Sequence, residues 1–199
     1  MIGNGKIVVL MLGGARRVSM GELLIDSGKR LGYKVEILSY ELDCCVPIAA
    51  IGTVIIGRKW QDPHVVEHIV ETVKRFGVNI ILPFVDGAIA VASECKRLLP
   101  DVFIPVSEED IATAMFDKAL AAKLFAEKDI AIPSTYSFDD CRFPAIAKPR
   151  LGSASKGIKV INDAKELKQL QNPAEYLIQE YIAHREEYTV DCYVSKEKK

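Results

Sequence analysis

The sequence has no C-x-x-C pair, no excess of positive charge and no apolar run long enough to cross a bilayer. Its five cysteines (Cys44, Cys45, Cys95, Cys141 and Cys192) are odd in number, which argues against a disulfide framework and against a zinc-finger-type site. Lys and Arg total 26 against 27 for Asp and Glu, a formal net charge of −1. A dedicated nucleic-acid binder normally carries a basic excess. The longest apolar runs, such as Ile7 to Gly14, fall far short of the roughly 20 residues of a membrane helix. The N-terminus carries neither the apolar stretch nor the small-residue cleavage site of a signal peptide. These absences set the expectation of a protein of the reducing cytoplasm, with neither nucleic acid nor membrane as partner. What is present is ordinary globular material: 199 residues, 49% apolar and 27% charged. A chain of this size buries about two-thirds of its unfolded surface and needs no covalent staple.

The pattern divides into two halves. Lys6–Leu12 is a continuous β-branched and apolar run ending at Gly13-Gly14, as a strand buried on both faces should be. Helical texture from Val18 to Leu31 stops at Gly32, and strands are expected at Val35–Tyr40, Gly52–Ile56, Val78–Pro83 and Val102–Val106. Between them, Pro63 fits the first turn of a helix whose apolar face is Val65, Val66, Ile69, Val70 and Val73, with a second helix over Asp86–Leu99. Strands alternating with helices imply a Rossmann-like parallel sheet covered on both faces. Ser107-Glu-Glu-Asp110 then resembles a capping box, opening a helical region to Lys128 with a break near Phe116-Asp117. Beyond it the texture is α+β: an extended Ile132–Phe138, strands at Pro144–Lys148, Ile158–Ile161, Tyr176–Tyr181 and Tyr188–Val194, and a short helix over Ala164–Leu170 capped by Asp163. A last strand running into the polar Ser195–Lys199 leaves an uncovered edge. It reads either as a solvated edge or, as we expect, as a chain that continues.

Three constellations carry chemistry. Gly13-Gly14-Ala15-Arg16-Arg17 follows the first strand, but Ala15 and Val18 stand where a dinucleotide fingerprint needs glycine. It is either a structural turn with solvated arginines or an anion site beside a helix N-terminus. His64-Val-Val-Glu67-His68 matches a zinc-protease pattern literally. No third ligand stands at a recognisable spacing, and both histidines fall on the polar face, so we read a solvated helix face. The third is Lys148, which closes an apolar strand four residues before Gly152-Ser153-Ala-Ser155-Lys156-Gly157. An ammonium there asks for an anion ahead of it, and the loop can wrap backbone N–H groups and hydroxyls around phosphate. Ile158 replaces the lysine of a Walker loop.

The segments around that lysine resemble the ATP-grasp superfamily. Phe116-Asp-Lys118 with Ile130-Ala-Ile-Pro133 is similar to the family's "DK…G-I-P" stretch, and Phe143–Gly157 to its phosphate-covering hairpin. Ile178-Gln-Glu-Tyr-Ile182 followed by Glu187-Tyr-Thr-Val-Asp191 resembles its adenine hinge and ribose strand. Nearest among its members are those like the large subunit of carbamoyl-phosphate synthase and related carboxylate–amine ligases. The resemblance implies a Rossmann-like pre-ATP-grasp domain over residues 1–112 and the N-terminal part of an ATP-grasp domain over 113–199. It implies that Lys118 and Lys148 neutralise the α- and β-phosphates, while Gly152, Ser153, Ser155, Lys156 and Gly157 close over the β- and γ-phosphates. Glu180 with the backbone of Tyr181 and Ile182 would meet the adenine edge, and Glu187 the ribose. Ala183-His184-Arg185 stands where the family has a glycine, which leaves Glu186 as the alternative to Glu187.

The implied ligands are ATP and Mg2+, with a small-molecule carboxylate and an amine as substrates and homodimerisation open. Arg16 and Asp86 are the substrate candidates at strand ends, although Asp86 may equally serve its helix as a cap. The family's acidic metal ligands would lie past Lys199, so the chain by itself is expected not to turn over. The alternatives are a non-catalytic nucleotide-binding module, one half of a split enzyme, and a Rossmann reductase, the last already weakened by Ala15 and Val18.

Overall fold

In the computed structural model, residues 5–152, 155–183, 186–190 and 192 are described. The chain forms two compact units that divide between Ala121 and Ala122. The first is built on a parallel sheet of β1 (Lys6–Leu12), β2 (Lys34–Glu41), β3 (Thr53–Ile56) and β4 (Ile80–Pro83), in the order β3-β2-β1-β4. Period-two alternation along β1 decides which layer each side chain joins. Val8, Leu10 and Leu12 pack into one core with Tyr40, Ile69, Val73 and Ala92. Val9 and Met11 pack into another with Ile37 and Ile48. Both faces are thus dry, as the unbroken apolar run requires. The helices are α1 (Val18–Arg30), α2 (Val65–Phe76), α3 (Asp86–Leu98), α4 (Glu109–Phe116) and α5 (Lys118–Glu127), the last running across the division.

Several expectations are corrected here. Helix α2 begins at Val65 behind an N-cap at His64, so Pro63 lies outside its first turn. Val102–Val106 is no strand: a single parallel bridge joins Phe103 to Ile80, with Ile104 buried beside it. Ser107 does not cap α4; Glu108 takes that position, and no side chain closes the first turn. The break at Asp117 is real, and its carboxylate accepts the Ala119 N–H at 2.8 Å to start α5. A 3-10 turn over Pro47–Ala50 was not anticipated; it buries Ile48 completely.

The second unit is an antiparallel sheet of β5 (Thr135–Tyr136), β6 (Ala145–Pro149), β7 (Lys159–Ile161) and β8 (Tyr176–Glu180), in the order β5-β8-β6-β7. Its core is small: Ala145, Ala147 and Ile178 from the sheet meet Leu167 and Leu170 around α6 (Ala164–Lys168). Asp163 caps that helix as the sequence predicts, its Oδ1 accepting the N–H groups of Lys165 and Glu166 at 2.8 Å each. The strand expected over Tyr188–Val194 does not form at 188–190, where Tyr188 and Val190 are 77% exposed. Residues 191, 193 and 194 lie outside the described residues.

Candidate functional site

Register places Lys148. It stands opposite Leu177, while Ile146 stands opposite Gln179 and Val160. Because alternate residues share a face, Ile146, Lys148, Leu177, Gln179 and Val160 lie on the side of the sheet opposite Ala145, Ala147 and Ile178. The Lys148 ammonium donates to Gln179 Oε1 at 3.4 Å. Gln179 is only 5% exposed, and its Nε2 donates to the Pro133 carbonyl and to Thr135 Oγ1, each at 3.4 Å. A buried carboxamide with both ends occupied fixes the lysine that it touches. Half-buried Ile146 and the 45%-exposed Val160 form an apolar strip beside that ammonium.

The loop joining β6 to β7 is held open by left-handed backbone. Gly152, Ser155 and Gly157 have φ of 107°, 56° and 76°. Left-handed residues of this kind recur in loops that gather backbone N–H groups around anions. Gly157 is required twice over, since a Cβ there would also lie 2.9 Å from Pro149 Cγ. The Arg150 N–H donates to the Glu175 carbonyl at 2.8 Å, tying the start of the loop to the start of β8. Lys156 is exposed on the loop, and Ser153 lies outside the described residues.

At the end of β8, Glu180 accepts from Ser134 Oγ at 3.0 Å and from its N–H at 3.4 Å, and returns its own N–H to the Ser134 carbonyl at 2.8 Å. The Tyr181 N–H reaches the Pro144 carbonyl at 3.4 Å. Tyr181 and Ile182 are 39% and 52% exposed. Glu187 is exposed and engaged in an interaction of its own. Glu186 accepts the Tyr188 hydroxyl, which holds that phenol above its usual range.

In the first unit, Lys118 is the half-buried first residue of α5. Arg16 follows β1 and Asp86 follows β4, both exposed and both at the C-terminal ends of neighbouring parallel strands. The sheet order reverses between those two strands, the place where open α/β sheets take ligands. Asp86 is the first residue within α3 and makes no capping bond from an N-cap position, which belongs to Val85. Arg17 is exposed as well, with its guanidinium 5.8 Å from the Phe84 ring centre. The H-x-x-E-H stretch needs the same correction. His64 pairs with Glu67 at 3.3 Å, but His68 accepts or donates at 2.8 Å to the hydroxyl of buried Tyr40. That face is docked on the sheet at one end.

Sequence reasoning passed over Gln179, Ile146 and Ser134. The signal available was the glutamine inside an otherwise apolar strand, where only a partner deep in the fold excuses an amide. Serine and isoleucine at such positions carry no signal of their own.

Residues 115–199 match the ATP-grasp domain family. Among solved structures, the chain resembles the biotin carboxylase domain of the Hydrogenobacter thermophilus 2-oxoglutarate carboxylase, crystallised as a dimer with MgADP, ADP and bicarbonate. Identity is 18%, TM-score 0.65, with 88% of this chain and 44% of that one covered. It also resembles the ADP complex of N5-carboxyaminoimidazole synthetase from Staphylococcus aureus (14% identity, TM-score 0.63, 88% and 48% covered). A third likeness is the L-amino acid ligase of Bacillus licheniformis (13%, 0.63, 90% and 44%). The chain spans less than half the length of each. No curated protein sequence matches it. The chain thus shares its fold with these structures, and its residues 115–199 match the ATP-grasp domain family.

Proposed function

We propose that this chain is the nucleotide-binding N-terminal portion of an ATP-dependent carboxylate–amine ligase. Residues 1–112 would form the pre-ATP-grasp domain and 113–199 the start of the ATP-grasp domain, a boundary supported by the family match beginning at residue 115. The observation that carries the reading is Lys148, held by buried Gln179 on the sheet from which the loop with left-handed Gly152, Ser155 and Gly157 springs. In this reading Lys148 and Lys118 meet the α- and β-phosphates. Gly152, Ser153, Ser155, Lys156 and Gly157 supply donors to the β- and γ-phosphates, and Ile146 and Val160 offer an apolar bed for the base. Glu180 and the backbone of Tyr181 and Ile182 face the adenine edge, and Glu187 the ribose. Arg16 and Asp86 are proposed to meet substrate.

The chemistry of a complete ligase follows. A carboxylate oxygen attacks the γ-phosphorus and ADP leaves; an amine then attacks the acylphosphate carbon and inorganic phosphate departs. This chain's residues hold and neutralise the triphosphate, a contribution of positioning and electrostatics. Magnesium would supply positive charge to the triphosphate, but it needs carboxylate ligands, and none of Ile146, Lys148, Leu177, Gln179 and Val160 supplies one. The acids that would hold it are proposed to lie past Lys199. The second reading is a nucleotide-binding module without catalysis or one half of a split enzyme. A reducing cytoplasmic setting, homodimerisation and a carbamoyl-phosphate-synthase-like substrate choice belong to the proposal.

The test is an equilibrium titration of the whole chain with ATP and, separately, with NADPH. ATP binds and NADPH does not; Lys148→Ala weakens ATP by about 10- to 100-fold, the loss of one charge-assisted contact. Unchanged ATP affinity in that variant removes the phosphate assignment.

A further inference from the structure

A pair of adjacent cysteines sits where β2 gives out. After Glu41 the chain turns through Leu42 into Asp43, Cys44 and Cys45, all exposed, before the buried Ile48 anchors it again. The Ile48 N–H donates to the Ala15 carbonyl at 3.0 Å, and the Glu41 carbonyl accepts from Gly57 at 2.7 Å, so the turn hangs between two fixed points. Both thiols are free, with sulfurs 3.9 Å apart. Asp43 Oδ1 accepts the Cys45 N–H at 2.8 Å, which sets the carboxylate beside the sulfurs and leaves its other oxygen for a ligand. One ligand atom from each of the three side chains lies within 4.8 Å of the others.

We infer that Asp43, Cys44 and Cys45 form a surface site for a thiophilic divalent cation of the Zn2+ class. Two thiolates on a tetrahedral ion with bonds of about 2.3 Å stand about 3.8 Å apart, so the sulfurs are already spaced for a shared metal. Two soft sulfurs and one hard oxygen select zinc or cadmium over magnesium or calcium, and a fourth position stays open to water. On a dication the sulfurs bind as thiolates with release of their protons. The site is independent of the nucleotide reading, since it is made by the first unit alone.

The whole chain, kept reduced with a phosphine and freed of metal, is titrated with Cd2+ while thiolate-to-cadmium charge-transfer absorption is followed in the ultraviolet. The band saturates at one equivalent and is removed by Zn2+. It is lost in the Cys44→Ser/Cys45→Ser double variant and kept in Cys141→Ser/Cys192→Ser. In Asp43→Ala the affinity falls by roughly tenfold or more, as removal of a ligand should exceed the loss of an outer-shell partner. No band in the wild-type chain, a band that survives loss of Cys44 and Cys45, or one that vanishes with Cys141 and Cys192 overturns the assignment.

Discussion

Gln179 shows how a single buried amide organises its surroundings. Its oxygen takes the Lys148 ammonium and its nitrogen serves Pro133 and Thr135, so one side chain links three strands of sequence. Replacing it with leucine takes the donor from the half-buried Pro133 carbonyl and the acceptor from Lys148, a cost of about 1–3 kcal/mol. Gln179→Leu should therefore unfold at lower denaturant and also bind ATP more weakly, because Lys148 loses its tether. Unaltered stability and affinity would show that the amide is a bystander. Cys95 offers a test of burial. Fully enclosed in α3, its thiol is pushed up to about 12, mainly by desolvation. In the unfolded chain a cysteine ionises near about 8.5. The folded state thus binds the proton more tightly, and the stability so gained is full below that pH and drains away as pH rises toward 12. Wild-type unfolding free energy should fall more steeply between pH 9 and about 11 than that of Cys95→Ala. Under native conditions near pH 8, a thiol reagent should modify exposed Cys44 and leave Cys95 untouched.

Among the elements, the β6–β7 hairpin separates two causes that a glycine can have. Gly152 has φ of 107° with open space around it, whereas Gly157 has φ of 76° and Pro149 Cγ at 2.9 Å from a notional Cβ. Gly152→Ala meets backbone strain alone; Gly157→Ala meets strain and a clash. The second should cost more, by about 1 kcal/mol, in equilibrium unfolding. Equal costs would mean the hairpin yields at Pro149. This hairpin was legible in the sequence because its signals are local: an apolar run, a lysine, Pro149, and glycines at fixed offsets. Asp163 capping α6 was legible for the same reason. What escaped depends on neighbours far along the chain. His68 looks like a solvated histidine until Tyr40, from another strand, takes its ring nitrogen. Val102–Val106 has the composition of a strand, yet it meets β4 at one bridge only. Ser107 lost the cap because Glu108 occupies the extended position from which α4 begins.

At the scale of the molecule, the two units differ in how much they bury. Among the described residues, the first has two apolar layers about a parallel sheet, and the second one small cluster around α6. Stability should be distributed accordingly, with the second unit opening more readily and gaining most from a ligand that binds it. The alternation of strands and helices made the architecture readable before any coordinates, and the segments from Phe116 onward carried the ATP-grasp likeness that residues 115–199 match. The placing of Lys148 on one face with Gln179, Ile146 and Val160 was not, because register is set by pairing with β7 and β8. The most direct test of the account is amide hydrogen exchange of the whole chain with and without ATP. Slower exchange at residues 155–158 and 181–182, absent in Lys148→Ala, is the predicted result. Protection centred on Gly13–Arg17, or none in the second unit at saturating ATP, would contradict it.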